Sequence, residues 1–334
     1  MTSAKQRLVV FCLFALVLSA GVTFARQSTV LTARDKSSFI ETASRLLNAN
    51  YVFPDVARRI EAHLKSRLTN GAFDKVSTLQ EFAATLTAEM QSVSKDKHMR
   101  CRPTSPATSV PAPPMPDFEV AGLKEERAFG FARAGHLDAN VGYLELFNFP
   151  SLERAKAPVD EAMKHLAGSK ALIIDLRRNG GGNPESIRYI CSYLFDKPTH
   201  INSIYWRSSN TTVDFVTSDR VDGQKMGGVP IFVLTSRYTF SGGEEFAYDI
   251  QTQKRGLLIG ETTGGGANPG GAFAISDELR LFIPTGRAIN PVTKTNWEGV
   301  GVVPDVRADA TSAFEIALTR ARQAASDRPS KGRK

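Results

Sequence analysis

The 334-residue sequence has few of the residues from which a metal centre or a disulfide scaffold is built. It contains three cysteines and five histidines, and it has neither a CxxC pair nor an HExxH motif. We therefore expect no metal site and no cofactor. Cys12 lies in an apolar N-terminal run, and the spacing of the other two, Cys101 and Cys191, does not decide whether they form a disulfide.

The motifs of several common enzyme classes are also missing. The glycine run at residues 180–182 matches neither GxGxxG nor GxxxxGK[ST], so nucleotide binding is not expected. Thr239 stands where the GxSxG motif of α/β-hydrolases has its first glycine. Residues 92–95 match SxxK, but the SDN and KTG motifs of penicillin-binding proteins are absent.

Positive charge is scarce outside the two ends of the chain. The formal net charge is +8, but six lysines and arginines near the termini account for most of it and leave +2 for the rest: Lys5, Arg7, Arg328, Lys331, Arg333 and Lys334. No basic patch with interleaved aromatic residues remains, so we expect no nucleic-acid partner.

One long apolar run is present, at residues 8–18 near the N-terminus. Lys5 and Arg7 precede it and small residues up to Ala25 follow it, which is the pattern of a secretory signal peptide at residues 1–25. A membrane anchor is the alternative, but the run is shorter than the roughly 20 residues that a span needs. We expect an exported protein, periplasmic or secreted, with no stable membrane span after cleavage. The oligomeric state is left open.

The rest of the chain divides into four parts. Apolar residues at helical spacing predict a three-helix bundle at residues 35–102, and a proline-rich connector follows at residues 103–117. From residue 118 to 326 short apolar strands alternate with helices, which is typical of an α/β or α+β domain. Residues 327–334 form a basic tail that we expect to be disordered.

The strand predicted at residues 231–234 leads into a turn that carries Ser241, and a helix is predicted directly after it. Unpaired N–H groups and the helix dipole favour a developing anion there, so Ser241 could be a nucleophile. Alternatively, Ser241 only caps the helix together with Glu244. The glycines at residues 180–182 follow a predicted buried strand, 171–176. They could expose N–H groups to an oxyanion, or they could simply form a tight turn.

Four motifs in this order make one specific signal: IIDLRRNGGG (173–182), TSRYTFSGGEE (235–245), LIGETTGGG (258–266) and WEGVGVVPD (297–305). Together they resemble the C-terminal processing, or tail-specific, serine proteases. The helical front end followed by Asp96-Lys97-His98 is most similar to the branch of interphotoreceptor retinoid-binding protein and the tricorn protease core. This resemblance implies a ββα spiral core like that of crotonase and the Clp protease, packed with the N-terminal three-helix bundle.

The resemblance also implies roles for individual residues. Ser241 falls on the nucleophile of the family. The N–H of Gly242, with one from Gly181 or Gly182, falls on the oxyanion hole. Glu244 falls on a recurrent glutamate three residues after the nucleophile.

The sequence departs from the family pattern in two ways. Gly266 stands where the Ser-Lys members have their lysine base, so His98 is the expected base, and an imidazole pKa of about 6.5 suits that role. Glu298 or Glu244 could orient the imidazole. Only 19 residues separate His98 from Phe118, too few for the PDZ domain that many relatives carry, since a domain needs roughly 50 residues.

The sequence therefore predicts a serine endopeptidase that cleaves unstructured peptides or the C-terminal segments of proteins. The alternatives are a decayed protein of the same fold that binds apolar ligands or peptides, and a hydrolase of other esters or amides. Natural substrate and cleavage preference are not predicted.

Overall fold

The computed structural model describes residues 30–104, 116–118, 120–137 and 140–327. The predicted signal peptide, most of the proline-rich connector and nearly all of the basic tail lie outside these ranges. Within them are seven helices: α1 Ala33–Asn50, α2 Pro54–Thr69, α3 Leu79–Ser94, α4 Leu152–His165, α5 Pro184–Leu194, α6 Gly242–Thr252 and α7 Ala313–Ser326. None of these helices is both long enough and apolar enough to span a bilayer.

The strands of the described residues form three sheets. They are β1 Arg100–Pro103, β2 Lys124–Ala128, β3 Ala132–His136, β4 Val141–Leu146, β5 Ala171–Asp175, β6 His200–Trp206, β7 Thr211–Val216, β8 Ile231–Thr235, β9 Leu257–Gly260, β10 Gly270–Ala274, β11 Leu279–Pro284, β12 Gly286–Ile289 and β13 Val306–Arg307. The main sheet has the order β13-β9-β8-β5-β4-β3-β2, and the others have the orders β1-β11-β10 and β12-β6-β7.

The main sheet is the central layer of residues 120–327. Its strands β4, β5, β8, β9 and β13 run parallel to one another, β3 is antiparallel to β4, and β2 is antiparallel to β3. Helices α4, α5 and α6 pack on one face, and α7 packs on the other. All residues of β4, β5 and β8 are buried, as expected of parallel strands that are covered on both faces.

The N-terminal bundle is joined to the rest of the protein through the sheet β1-β11-β10. Met99 and Cys101 share one hydrophobic core with α1, α2, α3 and the inward residues of β11. The predicted range of the bundle, residues 35–102, therefore ends in a strand that the sequence analysis did not foresee. Because β1 pairs with a strand that follows about 180 residues later, local periodicity contains no sign of it.

The two cysteines left open above do not form a disulfide. Cys101 and Cys191 are both free and buried, the first in the bundle core and the second in the core under α5.

Candidate active site

Ser241 lies at the N-cap of α6, directly after the turn that follows β8. Its φ of 54° and ψ of −121° place a non-glycine residue in a sparsely populated region of backbone conformation. Neighbouring groups hold the turn in place: Phe240 N donates to Asn179 O (2.9 Å) and Thr239 Oγ1 donates to Leu176 O (2.8 Å). The strained backbone is thus fixed against the end of β5, and strain of this kind is common at catalytic residues.

Glu244 connects the Ser241 turn to the second glycine-rich loop. Its Oε2 accepts from Ser241 N (2.9 Å) and Gly266 N (2.8 Å), and its Oε1 accepts from Gly265 N (2.6 Å) and Thr263 Oγ1 (2.5 Å). The side chain is fully buried. Burial raises its pKa, and these four donors counteract the rise. All of its strong acceptor positions are occupied, so Glu244 acts here as a structural link.

Two backbone N–H groups near Ser241 are left without an acceptor among the described residues, those of Gly182 and Gly242. A Cβ built on Gly242 would lie 2.9 Å from Gly182 N, which shows how closely the two segments approach. Gly181 differs, because its N–H donates to Asn179 Oδ1 (2.8 Å). Of the predicted glycines, Gly182 and Gly242 fit an oxyanion hole, and the hydrogen bond of Gly181 does not fit the donor role.

Gly181 contributes by having no side chain. Its φ is +103°, and a Cβ at this position would lie 2.7 Å from both Gly242 N and Ser241 Cβ. Only glycine lets the two segments meet at this distance.

His98 reaches the site from the segment between α3 and β1. Asp96 holds this segment: its Oδ1 accepts from His98 N (3.0 Å), and its Oδ2 accepts from Asn268 Nδ2 (2.9 Å) and Tyr51 OH (3.3 Å). Asp96 is itself 1% exposed. The histidine segment is therefore held both by Tyr51 of the bundle and by Asn268 of the loop before β10.

The imidazole of His98 packs against the residue that precedes the serine. Its ring centroid lies 4.7 Å from that of Phe240 and 5.8 Å from that of Phe282. A Cβ built on Gly266 would lie 2.7 Å from His98 Cε1 and 2.4 Å from Phe240 Cζ. The histidine thus occupies space that a side chain at position 266 would need.

The His98 ring makes no hydrogen bond to Ser241, or to any other residue, in the part of the chain described. Its Nδ1 is buried without a partner. Glu298 also has a buried atom without a hydrogen-bond partner. Its Oε2 accepts from Ala267 N (2.6 Å) and Asn268 N (3.1 Å), but its buried Oε1 accepts from no described group. Catalytic hydrogen bonds are often loose in unliganded enzymes, and here His98 Nδ1 and Glu298 Oε1 are both buried without a partner.

Asp96, His98 and Glu298 each have a ligand atom within 4.8 Å of the others. No metal site was expected from the sequence, because it has neither a CxxC pair nor an HExxH motif and Glu298 lies 200 residues after His98. Such a trio could hold a cation. Both oxygens of Asp96 already accept hydrogen bonds, however, which leaves the imidazole and Glu298 as the pair with free positions.

Burial shifts the pKa values of this pair in opposite directions. Burial lowers the pKa of His98 to about 4, and the positive charge of Arg100 adds to this effect. Burial and then the negative charge of Asp96 raise the pKa of Glu298 to about 7, although the backbone N–H groups of Ala267 and Asn268 lower it. Both shifts favour neutral forms, as expected when each group lacks a charged partner.

Sequence reasoning missed two residues that build the site, Asn179 and Asn268, and it gave no role to Asp96 although it named the Asp96-Lys97-His98 segment. Asn179 supports the glycine run through Nδ2, which donates to Leu146 O (2.8 Å), and through Oδ1, which accepts from Gly181 N. Its position directly before three glycines was an available signal. Asn268 had no such signal, because its partner, Asp96, lies 172 residues away.

Comparison with known proteins identifies the family. Residues 140–308, half of the chain, match the family model described as peptidase family S41. This chain belongs to peptidase family S41. Residues 23–126 match a second model, the N-terminal domain of Peptidase_S41 in eukaryotic IRBP, so the resemblance predicted from the four motifs is confirmed. Neither match is to a PDZ domain.

Curated relatives of this S41 chain include processing proteases. It is 30% identical over 175 residues to the chloroplastic carboxyl-terminal-processing peptidase 2 of Arabidopsis thaliana, which covers 52% of this chain and 32% of that one. It is 34% identical over 99 residues to the tail-specific protease of Haemophilus influenzae, covering 29% and 13% respectively. The chain therefore spans a third or less of the length of these two relatives.

Solved structures confirm the predicted fold, an α/β core of the S41 and tricorn kind preceded by a helical bundle. A candidate peptidase from Parabacteroides merdae has a TM-score of 0.61 at 18% identity and covers 86% of this chain and 96% of its own. The photosystem II D1 C-terminal processing protease has a TM-score of 0.53 at 16% identity, covering 87% and 97%. The tricorn protease has a TM-score of 0.51 at 16% identity, covering 86% and 35%.

Proposed function

We propose that this S41 chain is an exported serine endopeptidase of the tail-specific type, which cleaves unstructured peptides or C-terminal segments of proteins. One observation carries the proposal. A strained serine at a helix N-terminus lies beside the unpaired N–H groups of Gly182 and Gly242, and the residue before it, Phe240, packs against the half-buried His98 with ring centroids 4.7 Å apart. This combination supplies a nucleophile, an anion site and a base.

In the proposed mechanism, His98 Nε2 takes the proton from Ser241 Oγ as the oxygen attacks the peptide carbonyl. The N–H groups of Gly182 and Gly242 then donate to the tetrahedral oxyanion. His98 returns the proton to the leaving amine, and a water molecule, again deprotonated by His98, hydrolyses the acyl-enzyme. No cofactor is needed for these steps.

Of the two glutamates left open by the sequence, we assign the orienting role to Glu298. Glu244 has both oxygens occupied by four donors, whereas Glu298 Oε1 is buried and unpartnered. A hydrogen bond from His98 Nδ1–H to this oxygen would fix the tautomer that presents Nε2 to the serine. It would also satisfy two buried polar atoms at once.

The missing lysine does not weaken the proposal. A side chain at position 266 would begin 2.7 Å from His98 Cε1, so a residue 266 side chain and this histidine compete for one space. Glycine at 266 is what a histidine-based site requires.

The test is mass-spectrometric detection of cleavage in an unstructured peptide library, with the wild type beside Ser241→Ala and His98→Ala. Ser209→Ala is the matched control, because Ser209 is exposed and lies in the β6–β7 turn. We expect cleavage by the wild type and by the control only. Equal cleavage by Ser241→Ala would refute the assignment. If none of the four proteins cleaves, the chain is better described as a peptide-binding or apolar-ligand-binding protein of the same fold.

Export is part of the proposal and rests on the pattern of residues 1–25. N-terminal sequencing of the protein recovered from outside the cytoplasm should begin just after Ala25. Recovery of the uncut chain in the cytoplasm would contradict it.

A further inference from the structure

A cavity of about 300 Å³ opens beside His98. The sheet β1-β11-β10 forms one wall, and the residue before the nucleophile, Phe240, belongs to another. The charged and aromatic side chains that line it are Arg100, Arg102, Arg280, His98, Phe240 and Phe282. We call it the arginine pocket.

The three arginines converge because of strand geometry. Arg100 and Arg102 are two residues apart on β1, so their side chains leave the same face of the sheet. Arg280 on β11 is the direct cross-strand neighbour of Arg102, and Phe282 is that of Arg100. Two like charges directly opposite each other destabilise a sheet, so this pairing costs stability unless an anion joins it.

The described residues supply no such anion. No carboxylate lines the arginine pocket, and none of its three arginines forms an ion pair with a described residue. Arg100 Nε donates to Lys97 O (2.7 Å) and its guanidinium lies 5.3 Å from the centre of the Phe240 ring, while Arg280 Nη1 donates to Ser276 O (3.1 Å). The terminal nitrogens of Arg100 and the whole guanidinium of Arg102 keep free donors.

We propose that the arginine pocket is a substrate subsite that binds a carboxylate close to the scissile bond, so that the enzyme prefers acidic peptides. This inference rests on the proposed function, because the cavity becomes a subsite through its contact with His98. Guanidinium groups bind carboxylates through paired, charge-assisted hydrogen bonds. The two phenylalanine rings offer apolar walls for the methylene groups that carry an acidic side chain.

A carboxylate can come from an aspartate or glutamate side chain or from the C-terminus of the peptide. Both sources have the same chemistry, and the experiment separates them. A short-peptide series places glutamate or glutamine at each position in turn, and each peptide is made with a free acid or an amide at its C-terminus.

Binding is measured first, by fluorescence anisotropy with labelled peptides, on the Ser241→Ala protein so that no peptide is cut. Arg102→Gln and Arg280→Gln are made on this background, since both side chains are exposed and their loss should not disturb the core. Arg59→Gln is the matched control: it removes the same charge from an exposed position of α2 outside the pocket.

We expect the favoured acidic peptide to bind at least about tenfold more tightly than its neutral partner, since hydrogen bonds between charged groups are the strong ones. Added salt should weaken this preference. Arg102→Gln and Arg280→Gln should reduce it severalfold, and Arg59→Gln should leave it intact. A dependence on position would identify a side chain, and a dependence on the free acid would identify the C-terminus.

Equal binding of acidic and neutral peptides, or a preference that survives both pocket substitutions, would overturn the proposal. The same peptides are then incubated with the wild-type enzyme. Preferential binding without any cleavage would leave the arginine pocket supported and refute the peptidase. Cleavage without any preference for acidic peptides would support the peptidase and refute the arginine pocket as a carboxylate subsite.

Discussion

Replacing Glu298 by glutamine should make the protein more stable at alkaline pH and less active above about pH 7, where Glu298 is ionised. Glutamine has nearly the same shape, and its carbonyl oxygen can still accept the two N–H groups that Oε2 binds, those of Ala267 and Asn268. The substitution removes the ability to ionise, and it puts an amide –NH₂ donor in place of the free acceptor Oε1. It therefore separates the charge of the residue from its structural role.

The size of the stability effect follows from the pKa. Burial and the charge of Asp96 raise the pKa of Glu298 from 4.5 to about 7, a rise that corresponds to about 3 kcal/mol. Between these values the unfolded chain has lost the Glu298 proton and the folded chain still holds it. The free energy of unfolding of the wild type therefore falls as pH rises from 4.5 to 7, and the loss is complete above 7. Glutamine does not titrate and shows no such loss.

Above about pH 7, Glu298→Gln should be less active than the wild type although it is more stable. With Glu298 ionised, the imidazole has a partner for Nδ1–H and support for the positive charge it acquires. Wild-type kcat/KM should therefore rise as pH increases through about 7. In Glu298→Gln we expect kcat to fall by roughly 10²- to 10⁴-fold, the range seen when the acid of a catalytic triad is removed. Its remaining acidic limb should lie near 4, where burial holds the pKa of His98.

The assay is urea unfolding of both proteins at pH 4.5 and pH 8, together with kcat/KM on one cleaved peptide across this range. Glu161→Gln, at an exposed position of α4, controls for the loss of one negative charge. The stability of Glu298→Gln relative to wild type should increase by about 3 kcal/mol from the lower to the higher pH. If this difference stays constant, Glu298 is ionised throughout in the folded protein, and the reasoning from its burial is refuted.

Three further substitutions test the packing of the site. Gly266→Ala should displace the imidazole and lower kcat by at least about 10²-fold, whereas Gly271→Ala in the same region, with no atom closer than 4.0 Å to its new Cβ, should be neutral in the same peptide assay. Gly181→Ala should abolish turnover, because its new Cβ would push the Ser241 turn away. Gly168→Ala is the control: Gly168 has a similar positive φ of +88° but open space around it, so the change should cost only about 1–3 kcal/mol of stability in urea unfolding. Equal effects of the two substitutions on turnover would contradict the oxyanion geometry. Glu244→Gln places an amide –NH₂ against two of the four donors and should lower the free energy of unfolding by about 2–5 kcal/mol in the same urea experiment. An unchanged unfolding midpoint would show that Glu244 does not link the two loops.

The parallel sheet was predictable because its strands are defined by local sequence. The run at residues 171–176 was predicted as a buried strand, and the structure has β5 at Ala171–Asp175. Apolar residues on every position signal burial on both faces without any knowledge of the partner strands. β1 could not be found in this way. Arg100 and Arg102 alternate with the buried Cys101 over only four residues, and the pairing with β11 depends on the complete fold.

The site shows the same difference between what local sequence predicts and what depends on the complete fold. Ser241 and the two glycine runs occur in motifs, so the sequence locates them. The choice between Glu298 and Glu244 depends on which oxygens already have donors, and those donors come from a loop about 20 to 30 residues away. The roles of Gly181 and Gly182 are separated in the same way, by one hydrogen bond to Asn179. Sequence patterns identify residues that can do the chemistry, but they do not report which of their atoms remain free.

The glycine at 266 and the histidine at 98 are best understood as one feature. A lysine at 266 would start within 2.7 Å of the imidazole and 2.4 Å of the Phe240 ring, so the two possible bases exclude each other sterically. A histidine base also needs a partner for its second nitrogen, and an aliphatic amine does not. A change from a lysine base to a histidine base in this fold therefore depends on at least three positions. Residue 266 must have no side chain, a histidine must lie just before β1, and a carboxylate such as Glu298 must keep one oxygen free. The raised pKa of that carboxylate is the energetic cost of keeping the oxygen free, and this cost falls on the residue whose ionisation the proposed base would use.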